Sequence, residues 1–229
     1  MKITEQHIEK LYQFTRQHYV EYYDLQTELV DHMANDIEAI WKEYPHLSFE
    51  EARDKAFKKF GIFGFMEVVE AREKAMHKRY FKLLLNYAKD WFKLPQILLT
   101  LSLLLGFYTL FRTQLGGIFL GGILLSVSLY SIVMGIKFSL KRKRQKKAGK
   151  KLWLLEQIIL TNALTMPIFF SPQLINFLNI FDAEYLPKIM ALVFSLFNVL
   201  AIIYVYISTI VIPKNAKIHL KETYPEYDM

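Results

Sequence analysis

The chain of 229 residues contains no cysteine, and acidic residues are scarce in its second half. The absence of cysteine excludes a disulfide framework, thiol catalysis and any cysteine-ligated zinc or iron–sulfur site. Between Phe92 and Ile212 the only acidic residues are Glu156, Asp182 and Glu184. Because this stretch also holds four long segments with few or no charges, the sequence is not that of an ordinary soluble globular protein.

The sequence also lacks the motifs that enzymes use. It has no nucleophile–base pair, phosphate-binding glycine loop or zinc-binding His-Glu-x-x-His pattern, and its six histidines are scattered without ligand spacing. We therefore predict no catalytic residues, no cofactor and no enzymatic activity. An intramembrane enzyme would need at least two catalytic groups that converge within the hydrophobic segments, and too few polar residues lie there.

The first 75 residues are predicted to form a small, cytosolic, all-α domain. They carry 15 acidic and 10 basic side chains and show no alternating strand pattern. The first helical segment has an apolar stripe that ends at Tyr19. The second, with Asp24 as its predicted N-cap, stops before Pro45 because proline cannot continue a helix.

Two further helices follow. Ser48 and Glu51 have the spacing of a capping box at the start of the third helix, and Gly61 is its predicted C-terminal cap. A fourth apolar stripe begins near Phe65 and continues without an obvious stop. Its second half, residues 76–93, is predicted to be a basic amphipathic connector helix that leads to the membrane surface.

Three motifs in the N-terminal domain resemble the HAAS-type, or permease-prefix, domain: YDLQTELVDH at 23–32, LSFEEA at 47–52 and FG at 60–61. The resemblance covers about residues 1–80. Domains of this family are short cytosolic helical modules placed ahead of membrane spans in many bacterial proteins. The resemblance implies a regulatory or sensory protein with a protein partner at this domain, and it supplies no catalytic residues.

Four hydrophobic segments after the head are predicted to cross a membrane as a four-helix bundle. A helix rises about 1.5 Å per residue, so three of them are long enough and free enough of charge to cross about 30 Å of hydrocarbon. The third in chain order contains Glu156, Asn162 and Pro167, and it is counted because Trp153 and the lysines before it form an interfacial anchor. The predicted spans cover about residues 94–111, 115–136, 152–170 and 189–212, and residues 213–229 form a cytosolic tail. The charged start of the chain does not resemble a signal peptide, so the first span is expected to direct insertion.

The connection between the second and third spans is strongly basic, with nine basic residues and no acid from Lys137 to Lys151. With four spans, the positive-inside rule therefore predicts that this basic loop and both termini lie in the cytoplasm. The resemblance to HAAS-type domains implies that the membrane is a bacterial inner membrane. Six side chains of the loop are predicted to lie on anionic lipid of the inner leaflet, and no nucleic acid is expected. They are Lys141, Arg142, Lys143, Arg144, Lys146 and Lys147.

Acidic residues project from one face of the second helix. Glu28, His32 and Asp36 follow one another at steps of four residues, a spacing that could hold a divalent metal. The solvated face of a helix explains them more simply, and we predict no metal site. We hypothesise instead that the head docks on the basic loop through Glu28, Asp31 and Asp36 until a partner or anionic lipid displaces it.

Small and polar residues inside the spans leave two alternatives open. Four small residues of the second span are predicted to pack within the bundle, with homodimerisation as the alternative: Gly117, Gly121, Ser128 and Gly135. In the third span, Glu156 and Asn162 are intramembrane polar candidates. Their convergence with Asn198 in a polar cavity would indicate a small transporter or transporter subunit. A packed apolar core favours the reading that we prefer, a regulatory, sensory or adaptor protein whose head docks a partner.

Overall fold

The computed structural model describes residues 2–162 and 187–228. Every regular element in these ranges is helical, so the prediction of an all-α protein is confirmed for them. The first four helices are α1 (Glu5–Gln17), α2 (Tyr23–Glu43), α3 (Phe49–Lys58) and α4 (Met66–Asp90). The later helices are α5 (Gln96–Phe111), α6 (Gly116–Lys147), α7 (described over 154–162), α8 (Lys188–Tyr206), α9 (Ile212–Lys214) and α10 (Ala216–Thr223).

The chain divides into two compact units, and the first of them is not continuous in sequence. It comprises Met1–Lys78 and Gln145–Leu155, and we call it the head. The second unit comprises Arg79–Arg144 and Glu156–Met229. The head therefore includes a segment that follows the predicted second span, in addition to the N-terminal helices.

The core of the head is built from the apolar stripes of α1, α2 and α3. Its fully buried side chains include Leu11, Leu25, Leu29, Met33, Ile37 and Trp41. The indole N–H of Trp41 donates a hydrogen bond to the carbonyl of Leu47 at 3.0 Å. His7 stacks on Phe49 with ring centroids 4.3 Å apart, which joins α1 to α3. The helical spacing of apolar residues thus accounts for the core of the head.

The predicted capping box of α3 is confirmed. The backbone N–H of Glu51 donates to Ser48 Oγ at 3.3 Å, and the N–H of Ser48 donates to the Glu51 carboxylate at 2.9 Å. The prediction that Gly61 caps the end of α3 is wrong, because the C-cap is Lys59. Gly61 lies two residues further on, and its φ of +77° places it in the left-handed region that favours glycine. A second capping box, between Thr4 and His7, begins α1.

The end of α1 differs from the prediction. Tyr19 does not lie on the apolar stripe: it follows the helix, is 92% exposed and has a φ of +63°. The N–H groups of Tyr19 and Val20 donate to the carbonyls of Arg16 and Thr15, the two hydrogen bonds of a Schellman motif. Glycine is usual at this position, because a side chain costs about 1–2 kcal/mol in the left-handed conformation.

Replacing Tyr19 with glycine should therefore stabilise the head. Relief of the left-handed strain outweighs the backbone entropy that glycine adds to the unfolded chain, for an expected net gain of about 0.5 kcal/mol. The gain would appear as slower amide hydrogen exchange in α1 and α2 of the full chain. Tyr19→Ala keeps the Cβ atom, and equal stabilisation by alanine would contradict this explanation.

The second unit contains the hydrophobic helices. By length and composition, two helical stretches among the described residues could cross a membrane: Gly121–Lys147 of α6, and Lys188–Lys214. Helix α5 is apolar but has only 16 residues. The predicted third span, 152–170, extends beyond residue 162 into positions that lie outside the described residues. The four-span bundle stays a prediction.

Helix α6 is longer than predicted. The predicted span ends at residue 136 and is followed by a predicted loop up to Lys151, but the helix continues to Lys147. Lysine, arginine and glutamine are good helix formers, so charge alone does not end a helix. The helix ends before Gly149, which has a φ of +64°. The predicted basic loop is therefore mostly helical, and residues 148–153 connect α6 to α7.

Polar contacts join the helices of the second unit. Helix α5 packs against α8. The chain passes from α8 to α9 through a π-helical turn, Ile207–Val211, in which Thr209 lies 3.2 Å from the hydroxyl of Tyr130 on α6. Near the C-terminus, His219 Nε2 lies 3.0 Å from the hydroxyl of Tyr87 on α4. The C-terminal helix α10 is thus tied to α4.

Candidate functional site

The start of α2 has no capping side chain of its own. Its N-cap residue is Tyr22, and the prediction that Asp24 caps this helix is wrong, because Asp24 lies inside the first turn. The N–H of Tyr23 instead donates to the carbonyl of Leu152 at 2.7 Å. The segment that precedes α7 thus supplies an acceptor for one of the N–H groups that every helix start leaves without an internal partner.

Asp24 caps a different helix. Its Oδ1 atom accepts a hydrogen bond at 3.1 Å from the N–H of Leu154, the first residue of α7. Asp24 is 5% exposed and Leu154 is 1% exposed. A carboxylate is stabilised at a helix N-terminus by the N–H groups and by the helix dipole. We call the contacts of Tyr23 and Asp24 with Leu152 and Leu154 the α2–α7 junction.

Aromatic and ionic contacts surround this junction. Trp153 packs edge-on against the ring of Tyr23, with centroids 5.3 Å apart, and Lys151 Nζ lies 4.1 Å from the centre of the same ring. Lys146 pairs with Glu21 at 3.0 Å. Both partners of this ion pair are substantially exposed, so it contributes at most about 1 kcal/mol. The buried hydrogen bonds of the junction are the stronger contacts.

Lys151 also affects the ionisation of Tyr23. Burial opposes ionisation of this phenol, but hydrogen bonds with Lys151, Thr27 and Tyr12, together with the positive charge of Lys151, outweigh burial, and the pKa of Tyr23 is lowered. The neighbouring Tyr12 stacks on Tyr23 with centroids 6.1 Å apart, and burial raises its pKa. The pKa values of these two adjacent tyrosines are therefore shifted in opposite directions from the ordinary value of tyrosine.

Replacing Lys151 with methionine should raise the pKa of Tyr23. In the native protein the folded pKa lies below the unfolded one. Tyr23 therefore adds stability as the pH rises through its folded pKa, and the variant should lose this increment. The phenol can be titrated by NMR of ¹³C-labelled tyrosine, with Tyr23→Phe to assign the signal. Lys147→Met is the charge-matched control, and an equal shift in that variant would contradict a specific role of Lys151.

The predicted metal candidates are engaged by other side chains of the head. Glu28 lies 3.7 Å from the guanidinium of Arg72 on α4. Asp36 pairs with Lys59 at 2.7 Å, and its second oxygen lies 3.5 Å from His32. In the part of the chain that the structure describes, no group of three or more histidine or acidic side chains is arranged to hold a metal ion. These residues join α2 to α4 and to the end of α3.

Within the head, the N-terminal helices contact the segment 145–155 at a place other than the one hypothesised. The hypothesis named Glu28, Asp31 and Asp36, which follow the first turn of α2. The observed contacts involve Glu21 and Asp24, together with the backbone of the first turn. The contact with segment 145–155 is therefore made by the buried carboxylate of Asp24 at the start of α2 and by Glu21, and not by the exposed acidic face of that helix.

The six basic residues predicted to lie on lipid have different surroundings. Lys141 pairs with Glu156 at 3.2 Å within the second unit, and Lys146 pairs with Glu21 within the head. Arg142 is half-buried, and the other five are exposed, including Lys143, Arg144 and Lys147. Contact of these side chains with anionic lipid stays a prediction.

The polar candidates of the second unit make hydrogen bonds or ion pairs with neighbouring groups. The side chain of Glu156 is 13% exposed and forms the ion pair with Lys141. The hydroxyl of Tyr204 donates a hydrogen bond at 3.3 Å to the backbone carbonyl of Asn162, a contact that does not involve the Asn162 side chain. The buried amide of Asn198 donates to a carbonyl one turn earlier in α8. The side-chain contacts of Glu156 and Asn198 are typical of structural polar groups and give the transporter alternative no specific support.

The four small residues predicted to pack within the bundle all lie on α6. Gly135 is buried, Gly121 and Ser128 are half-buried, and Gly117 lies in the first turn. The alternatives of packing within the chain and homodimerisation both stay predictions.

These contacts define an all-α protein whose N-terminal head is completed by a short segment from much later in the chain. Family models, curated proteins and solved structures were compared with this chain, and none of them matches. The resemblance of residues 1–80 to the HAAS-type domain stays a prediction. A function has to be inferred from the α2–α7 junction and its surroundings.

Proposed function

We propose that the protein is a bacterial inner-membrane protein of regulatory, sensory or adaptor type, in which a cytosolic head is coupled to the membrane helices. The observation that carries this proposal is the α2–α7 junction, where Asp24 accepts from the first N–H of α7. Helices α6 and α7 contain the predicted second and third spans. A cytosolic domain with no role in coupling would not need contacts with residues 148–153, which connect these two helices.

The junction gives the coupling a physical basis. Separating Asp24 from Leu154, and Leu152 from Tyr23, would leave the starts of α2 and α7 without these two partners at once. Each buried group without a partner costs about 1–3 kcal/mol, so separation is rare in the absence of a ligand. A ligand shifts such an equilibrium only by the difference in its affinity for the two states. We call the junction closed when these two hydrogen bonds are present and open when they are broken. The proposed signal is a ligand or partner that binds one of these two states more tightly than the other.

The membrane topology predicted from the sequence supports the proposal. The four predicted spans and the basic residues from Lys137 to Lys151 favour a cytoplasmic position for the head and the junction. The resemblance to HAAS-type modules, which precede membrane spans, agrees with a head that docks a protein partner.

The topology is tested by cysteine labelling, since the chain has no cysteine. Thr113→Cys, in the short connection before α6, should react with a membrane-impermeant maleimide in intact cells. Ser139→Cys, in the basic part of α6, should react only after lysis. Both positions are exposed. Labelling of residue 139 but not residue 113 in intact cells would overturn the proposed orientation.

The regulatory role is tested by comparing partners of the closed and open junction. A photo-crosslinking amino acid at Phe63, which is 68% exposed, captures neighbours of the head in living cells. The closed state is held by a short bifunctional crosslink between Glu21→Cys and Lys146→Cys, and the open state is favoured by Asp24→Ala. A partner captured in only one state supports regulation. Identical captures in both states would reduce the head to a constitutive anchor.

A further inference from the structure

A basic cleft of about 410 Å³ lies within the head beside the α2–α7 junction. It lies among the end of α1, the start of α2 and the residues that follow α6. Five charged side chains line it, namely Arg16, Glu21, Lys146, Lys150 and Lys151. Four of the five are cations, whereas the head as a whole carries 15 acidic and 15 basic side chains. The cleft is therefore a positively charged concave surface on a head with no net charge.

The turn at Gly149 brings two of these cations to the same cleft. The N–H of Gly149 donates to the carbonyl of Lys146 at 3.2 Å, and the N–H of Lys150 donates to the carbonyl of Gln145 at 3.1 Å. These two hydrogen bonds form a Schellman motif, which reverses the chain at the end of α6. Lys146 before the turn and Lys150 after it consequently line one cleft.

The head balances only part of this charge. Lys146 pairs with Glu21, and Lys151 lies over the ring of Tyr23. Neither Arg16 nor Lys150 forms an ion pair among residues 2–162 and 187–228. A concave surface with unbalanced charge of one sign focuses the electrostatic field and raises the local concentration of the opposite ion.

We propose that the basic cleft binds a phosphate-bearing anion, either the headgroup of an anionic phospholipid or a soluble phosphorylated molecule. The guanidinium of Arg16 presents paired donors that match phosphate oxygens, and Lys146 and Lys150 provide point charges beside it. The volume falls within the range of about 300–1,000 Å³ that small-molecule sites occupy. Glu21 competes with the anion for Lys146, which favours ligands with more than one negative charge.

The ligand should stabilise the closed junction. Arg16 belongs to α1, whereas Lys150 belongs to the segment that leads to α7, so an anion held by both bridges the two sides of the junction. A ligand that binds only this arrangement stabilises it in proportion to the logarithm of its concentration. This consequence rests on the proposed function, but binding in the cleft does not.

Binding is tested by calorimetry with inorganic pyrophosphate on the full chain in phosphatidylcholine nanodiscs. Arg16→Gln and Lys150→Gln remove cations of the cleft, and Lys147→Gln removes an exposed cation of the same segment that does not line it. Loss of one charged contact should weaken binding about tenfold. The control should change it less than about twofold, because it removes only long-range attraction.

Discs that contain phosphatidylglycerol distinguish the two sources of phosphate. If pyrophosphate binding in these discs is undiminished, the ligand of the cleft is a soluble phosphorylated molecule. If the lipid competes with pyrophosphate, and Arg16→Gln abolishes this competition, the ligand is a phospholipid headgroup. Equal weakening in all three variants, or no pyrophosphate binding in phosphatidylcholine discs, would overturn the proposal. Amide exchange at Leu154 in the ligand-free variants separates the two proposals. If Arg16→Gln or Lys150→Gln leaves this exchange unchanged, a loss of pyrophosphate binding is an effect on the cleft, and the junction is intact.

Discussion

Replacing Asp24 with alanine should lower the free energy of unfolding of the head by about 2–3 kcal/mol. The carboxylate is 5% exposed and accepts the N–H of Leu154 at 3.1 Å. Its removal leaves a buried donor at the start of α7 without this acceptor and removes a negative charge from the N-terminal ends of two helices. Such a loss exceeds that of an ordinary exposed cap.

Amide hydrogen exchange of the full chain in nanodiscs measures this effect at the junction. A loss of 2–3 kcal/mol corresponds to exchange at Leu154 that is about 30- to 150-fold faster. Asp24→Asn keeps an acceptor oxygen without the charge and should lose about half as much free energy. Asp31→Ala, at an exposed position of the same helix, is the matched control. An effect of Asp24→Ala no larger than that of Asp31→Ala would refute the role of the junction.

The local structure of the head is predictable because its determinants lie close together in sequence. Ser48 and Glu51 are three residues apart, and both hydrogen bonds of their capping box are present. The apolar spacing of α2 predicts its buried face, and Pro45 predicts its end. Tyr19 is the exception, because a left-handed residue after a helix is normally signalled by glycine.

The α2–α7 junction has no local signal. Asp24 precedes an apolar stripe and therefore has the sequence signature of a cap for α2, yet the helix that it caps begins 130 residues later. The acceptor for the start of α2 is the backbone carbonyl of Leu152, a group that every residue possesses. Capping preferences identify which residue types bind helix starts, but they do not identify which helix start is bound.

The basic loop was mispredicted because charge and helix propensity give different information. The nine basic residues from Lys137 to Lys151 predict the cytoplasmic side of the membrane but not an irregular backbone. Lysine, arginine and glutamine extend α6 by about 16 Å past residue 136, as far as Lys147. Only the turn at Gly149 brings the later lysines to the basic cleft, and a single glycine gives no indication of a binding site.

Replacing Trp41 with alanine should cause the largest loss of stability in the head, about 3–5 kcal/mol. The side chain is 1% exposed and packs between α1 and α3. Its truncation removes a large apolar surface, leaves a cavity and deprives the Leu47 carbonyl of the indole N–H at 3.0 Å. Trp41→Phe keeps most of the apolar surface and should lose roughly half as much. Phe63→Ala, at an exposed position, should lose little.

The same substitution tests whether segment 145–155 folds together with the N-terminal helices. Trp41 lies near the end of α2 and Asp24 at its start, about 25 Å apart along the helix axis. Trp41→Ala cannot act on the junction through direct contact at that distance. If the head is one cooperative unit, exchange at Leu154 should accelerate together with exchange in α2. Faster exchange in α2 with unchanged protection of Leu154 would show that the segment folds independently, and would remove the basis for coupling the head to the membrane helices.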